Sequence, residues 1–87
     1  MHEFSLMNSL MNQIYAVASE NKAKRIVGLK VRLGAMTHMS SEHFREHFEE
    51  AAKGGLAENA RLEVEVDLHQ GSPTAQDILL ESVEVEE

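Results

Sequence analysis

The chain contains no cysteine, and that absence removes disulfides, thiolate zinc sites and cysteine nucleophiles together. It also agrees with residence in the reducing cytoplasm. Bases are scarce: 8 Lys and Arg stand against 15 Asp and Glu, for a net charge of −7. The few present are split between Lys22, Lys24 and Arg25, then Lys30 and Arg32, then scattered single positions. No cluster could neutralise a run of phosphates, so nucleic acid is not expected as a partner. No apolar run approaches the roughly 20 residues of a membrane span, and the first residues lack the basic-then-apolar pattern of a signal peptide. Internal repeats and low-complexity tracts are absent too. At 87 residues there is room for one core and no second, since a chain of this size buries roughly 60–68% of its unfolded surface. The expectation is a single acidic cytoplasmic domain spanning residues 1–87.

Hydrophobic spacing gives the element order. From 4 to 20, Leu6, Leu10, Ile14 and Val17 recur at helical intervals, flanked by Met7, Met11 and Ala18. Asn21 is the expected stop, because Asn tolerates the left-handed conformation. Residues 25–33 switch to a period of two, with Val27, Leu29, Val31 and Leu33 on the core side. Ile26, Gly28, Lys30 and Arg32 point the other way, and Gly34 ends the strand. Ser40 or Ser41 caps a second helix with Glu42 in its first turn. Its apolar stripe is Phe44, Phe48, Ala51 and Ala52, and Gly54-Gly55 stops it.

Residues 61–68 alternate again, Leu62, Val64, Val66 and Leu68 inward. Residues 69–76 form a loop holding the only proline, and 77–86 a third strand. In that strand Ile78 and Leu80 share one parity and Val83 and Val85 the other. A β-bulge near Ser82 would bring all four to the core. The order α-β-α-β-β reads as an α+β fold, two helices on one face of a three-stranded mixed sheet. A helical crossover makes the first two strands parallel. The last two, if neighbours, pair antiparallel and 69–76 closes their hairpin.

The start of the chain carries the most specific chemistry. Met1 offers a free α-amine titrating near pH ~8, and His2 adds an imidazole between ionisable backbone amides. Nickel or copper in a tetragonal nitrogen site takes such donors in one plane, whereas zinc prefers a tetrahedral cage. Taken alone, Met1-His2-Glu3 reads first as a start codon followed by a chance histidine in a disordered terminus. The predicted first helix begins so close to residue 1 that its packing would hold the terminus in place.

The segments Met1-His2-Glu3-Phe4-Ser5-Leu6, Ala23-Lys24-Arg25-Ile26, Leu33-Gly34-Ala35, Phe44, Phe48-Glu49 and Ala52-Lys53-Gly54 occur in that order. Leu56, Ala60-Arg61-Leu62-Glu63-Val64 and Ser82-Val83-Glu84-Val85-Glu86-Glu87 follow. As an ordered set, over 1–68 and 77–87, they resemble the HypA/HybF family of nickel-insertion accessory proteins for hydrogenase and, in some bacteria, urease. The resemblance implies a nickel-binding α/β domain whose metal ligands are the nitrogens of Met1 and His2 with the neighbouring Glu3. It implies hand-over of nickel with a HypB-like GTPase to a target enzyme such as nickel–iron hydrogenase. The family also inserts a zinc ribbon with paired C-x-x-C motifs before its last strand. Here the loop 69–76 stands in its place, and no structural zinc is expected. Some members carry an acidic residue near position 40, where this chain has Ser40. His38, in the loop before the second helix, is the preferred fourth nickel ligand, ahead of His69.

Other candidates have ordinary readings beside the chemical one. His43 and His47 lie four apart on one helix, as metal-binding pairs do, but Phe44 follows His43 where a zinc-protease motif would have Glu. Met7 and Met11 read as core filling before a Cu(I) site. Glu46, Glu49, Glu50, Glu63, Glu65 and Asp67 read as solvated faces. There is no phosphate-cradling loop and no nucleophile with an activating partner, so an enzyme, such as an acyl-phosphate hydrolase on the same compact plan, is not expected. The rival is a degenerate module that keeps the fold for protein interaction or homodimerisation and binds no metal, using its open sheet edges.

Overall fold

A computed structural model describes residues 2–37 and 39–87, with side chains described from Ser5 onward. The elements are α1 (His2–Glu20), β1 (Arg25–Leu33), α2 (Ser41–Ala52), β2 (Arg61–Val66) and β3 (Ile78–Glu86). The sheet order is β2-β1-β3, with β1 parallel to β2 and antiparallel to β3. α1 packs over β3, α2 over β2, and the helices touch each other. Their apolar faces and one face of the sheet share a single core, so the expected α+β sandwich is the one observed.

Placing β1 in the centre corrects the hairpin expectation. β2 and β3 are not neighbours, and the segment between them crosses the carboxyl end of β1. The Asp67 amide donates to the Leu33 carbonyl (2.9 Å), Gly34 to Asp77 (2.9 Å) and Met36 to Ala75 (2.7 Å). Gly34 is needed for room, because a Cβ there would collide with the Ala75 carbonyl. The loop 69–76 is thus part of a crossover stitched to β1, and its own Ala75 is buried.

Two bulges set which side chains face the helices. Along β3, Lys30 pairs with Ser82 but Val31 with Leu80, leaving Glu81 as the extra residue. This is the bulge expected near Ser82, and it turns Ile78, Leu80, Val83 and Val85 all toward the core. A second bulge lies in β1: Ile26 pairs with Val85 but Gly28 with Glu84, so Val27 is unmatched. It reverses the strand's parity. Ile26, expected outward, is 1% exposed, while Val27, expected inward, is only half-buried.

β2 is shorter than its alternation suggests. It ends at Val66, which is largely exposed, and Leu68 is 85% exposed instead of inward. The cover provided by α2 does not extend that far.

The helix ends follow local chemistry. Ser40 caps α2, its Oγ accepting from the His43 amide at 3.1 Å. Met39 and Phe44, both buried, occupy the hydrophobic-staple positions around that cap. Gly54 adopts φ +77° just past the other end. Ala52 is buried but Ala51, expected on the stripe, is exposed. α1 ends in a Schellman motif: Ala23 donates to the Ala18 carbonyl and Lys22 to Ser19. The left-handed residue is Lys22 (φ 53°), not Asn21. Asn21 instead donates its side-chain amide to the Val17 carbonyl at 2.8 Å.

Candidate metal centre

Met1 and His38 lie outside the described residues, as do the side chains of His2 and Glu3; what the fold fixes is the backbone around them. α1 begins at His2, so His2 and Glu3 are in its first turn. Amides of a first turn have no intrahelical acceptor, which leaves them available to other partners. The turn is anchored from below, for Met7, Leu10, Met11 and Ile14 are all buried in the core. Their burial also assigns Met7 and Met11 to core packing, as expected.

Topology sets where that first turn lies. The short connection 21–24 forces the chain to double back, so α1 and β1 run in opposite directions along the same sandwich. The 19-residue helix is roughly 28 Å long and the 9-residue strand about 30 Å. The start of α1 therefore stands at the Leu33 end of β1. The turn after Leu33 is held at the same end: Thr37 is buried, its Oγ1 donating to the Gly34 carbonyl at 2.9 Å. Met39, on the other side of position 38, is 6% exposed. The start of α1 and the turn that leads into α2 are brought to one end of the sheet.

His69 opens the crossover as an exposed residue, its amide donating to Asp67 Oδ1 at 2.9 Å. His43 and His47 are also exposed, in successive turns of α2. Their Nε2 atoms are 2.7 Å apart, and the rings are nearly parallel (7°) with centroids 4.6 Å apart. A face-to-face stack holds its planes about 3.5 Å apart; parallel rings with atoms at 2.7 Å must instead meet edge to edge. One Nε2–H donates and the other Nε2 accepts.

The outer face of the sheet carries the charges. Lys30 and Arg32 approach Glu65 at 3.9 and 3.4 Å, Arg32 also pairs with Glu81, and Arg25 with Glu86. The Arg32 pKa lies above its ordinary value, chiefly through the charge of Glu81 and then that of Glu65. This lattice was not foreseen from the sequence; the signal was the run of alternating charges on β1 and β2. Among the described residues, no three His, Asp or Glu side chains converge as a metal cage.

Known proteins resemble the chain in sequence and in fold. A family model described as "Hydrogenase/urease nickel incorporation, metallochaperone, hypA" matches residues 1–72. The hydrogenase maturation factor HypA of Archaeoglobus fulgidus is 33% identical over 67 residues, 77% of this chain and 61% of that protein. That of Methylocella silvestris is 32% identical over 71 residues, 82% of this chain and 63% of the relative. That of Picosynechococcus sp. is 38% identical over 65 residues, 75% and 58% of the two chains. The chain thus spans about three fifths of the length of these relatives. The solution structure of the Ni metallochaperone HypA from Helicobacter pylori superposes with a TM-score of 0.78 at 19% identity, covering 99% of this chain and 98% of that one. The shared fold therefore includes β3, which the family-model match leaves out. The matched proteins are metallochaperones and maturation factors, not enzymes.

Proposed function

Because the chain belongs to the HypA family of hydrogenase/urease nickel-incorporation metallochaperones, we propose that it is a nickel-binding accessory protein for the maturation of a nickel enzyme such as nickel–iron hydrogenase. The ion is its cargo. The proposed ligands are the backbone nitrogens of Met1 and His2, the His2 imidazole and the Glu3 carboxylate, with His38 as the fourth residue. The observation that supports this most directly is the start of α1 at His2, at the same end of the sheet as the turn leading into α2. First-turn amides without helical acceptors are donors in reserve. An α-amine titrating near pH ~8 is partly neutral under physiological conditions. Several nitrogens in one plane suit Ni(II). The Glu3 carboxylate is further favoured by the positive end of the helix dipole.

The same 87 residues hold no thiolate, so they cannot build the family's cysteine zinc site. The module we propose is a single nickel-binding domain in which the crossover 69–76 stands where the zinc ribbon would be. A HypB-like GTPase and the target enzyme in the cytoplasm complete the proposed route. The rival reading, an interaction or homodimerisation module without metal, draws on the strand order, which leaves β2 and β3 as edges.

Calorimetric titration of Ni(II) into untagged protein with its native start separates the two. One nickel per chain is expected, lost on His2→Ala and on placing a Gly before Met1. Absence of uptake by the native protein, together with metal-independent dimerisation, would leave the interaction module standing.

A further inference from the structure

The His43–His47 pair on α2 is not among the ligands proposed above, and the spacing of its nitrogens is close to that of a metal chelate. Nitrogen ligands sit about 2.0 Å from a first-row divalent ion. Two such ligands on adjacent corners of a square plane are therefore about 2.8 Å apart, and on a tetrahedron about 3.3 Å. The two Nε2 atoms are separated by 2.7 Å. An ion about 2.0 Å from both nitrogens lies about 1.5 Å off the line between them, so each exposed ring turns to aim its lone pair at the ion while keeping the spacing it already has. Helix α2 fixes their spacing, since its Ser40 cap and the buried Phe44, Phe48 and Ala52 hold the helix against the sheet.

We infer that His43 and His47 form a second metal site, a two-imidazole clip for Cu(II), the divalent first-row ion that nitrogen ligands hold most tightly. In the bound state both rings are neutral and protonated at Nδ1. The ring that donates through Nε2 in the metal-free pair moves that proton to Nδ1 by way of solvent. Among the described residues no third His, Asp or Glu completes a cage, so these two imidazoles are the ligands identified for the ion.

The experiment uses the full chain with a Gly before Met1 and His2→Ala, which silences the amino end. Cu(II) is titrated by calorimetry, and the bound form is examined by electron paramagnetic resonance. One residual equivalent is expected, with a tetragonal spectrum showing nitrogen couplings. His43→Gln or His47→Gln, each introduced separately, should weaken it by about 10²-fold as the chelate is reduced to a single ligand. Both side chains are exposed, and an unchanged far-ultraviolet circular dichroism spectrum confirms folding. No residual equivalent, or one that neither Gln variant weakens, would overturn the inference. Failure of the amino-terminal reading is registered separately, by the native-start protein carrying His43→Gln and His47→Gln together.

Discussion

Arg61 of β2 reaches over the central strand to donate to Glu84 of β3 at 2.5 Å, and the residue it passes above is Gly28. The hydrogen bond to Glu84, and then its charge, raise the Arg61 pKa above the ordinary value. A Cβ at Gly28 would come within 2.7 Å of Arg61 Nη2 and 3.2 Å of Glu84 Cδ. Both are ends of exposed, flexible side chains that can swing aside, and Gly28 does not need a positive φ. Gly34 meets backbone instead, the Ala75 and Thr74 carbonyls of the crossover. Urea unfolding should therefore show Gly34→Ala destabilised by about 1–3 kcal/mol. Gly28→Ala should leave the midpoint nearly unchanged. Equal losses in the two would mean that the crossover is not fixed against β1.

The bulge at Glu81 makes a sharper prediction about β3. Replacing Glu81 by Ala removes one exposed partner of Arg32 and keeps the residue count, so the fold should persist. Deleting Glu81 removes the parity change, and either Ile78 and Leu80 or Val83 and Val85 must then leave the core. The deletion should abolish the cooperative unfolding transition measured by circular dichroism. A deletion variant that still unfolds cooperatively near the parent midpoint would show that the bulge is not needed.

The two bulges also explain why one strand was legible and the other was not. In β3 the conflict is internal: four apolar residues in two parities cannot share a face without an extra residue, and the sequence says so. In β1 both Ile26 and Val27 are apolar and β-branched, and which one faces inward depends on the register with β3. Nothing within residues 25–33 carries that information. Strand order was hidden for the same reason, because it rests on the hydrogen bonds of 67–77 to Leu33, Gly34 and Met36. Local signals fared better, with Ser40 and Gly54 in their expected roles. At the sites, the i, i+4 spacing announced the His43–His47 pair but not its 2.7 Å approach. Met1, His38 and the side chains of His2 and Glu3 lie outside the described residues.

Leu62 and Leu68 share a parity in the sequence and differ in consequence. Leu62 is buried beneath α2, whereas Leu68 lies beyond the end of β2 and is 85% exposed. Leu62→Ala should cost about 2–5 kcal/mol through lost burial and a residual cavity. Leu68→Ser should fall within about 0.5 kcal/mol of the parent, as surface changes usually do. Equilibrium unfolding of the two variants side by side checks the pair. A large loss at Leu68 would mean that β2 continues past Val66.

The end of α1 offers a stabilising change. Lys22 holds φ 53° as the left-handed residue of the Schellman motif, a conformation in which a Cβ costs roughly 1–2 kcal/mol. Glycine avoids that cost but loses more freedom on folding, so Lys22→Gly should gain about 0.5–1 kcal/mol in urea unfolding. Asn21→Gly should move the other way, since Asn21 does not have a positive φ and its side chain is bonded to the Val17 carbonyl. The sign difference is the informative result. If Asn21→Gly stabilised the protein and Lys22→Gly did not, the left-handed turn would lie one residue earlier, and α1 would meet β1 at a different angle. That junction sets the direction in which α1 runs back along the sheet. The position of its first turn, with His2 and Glu3 in it, is therefore tied to a backbone angle at the opposite end of the helix.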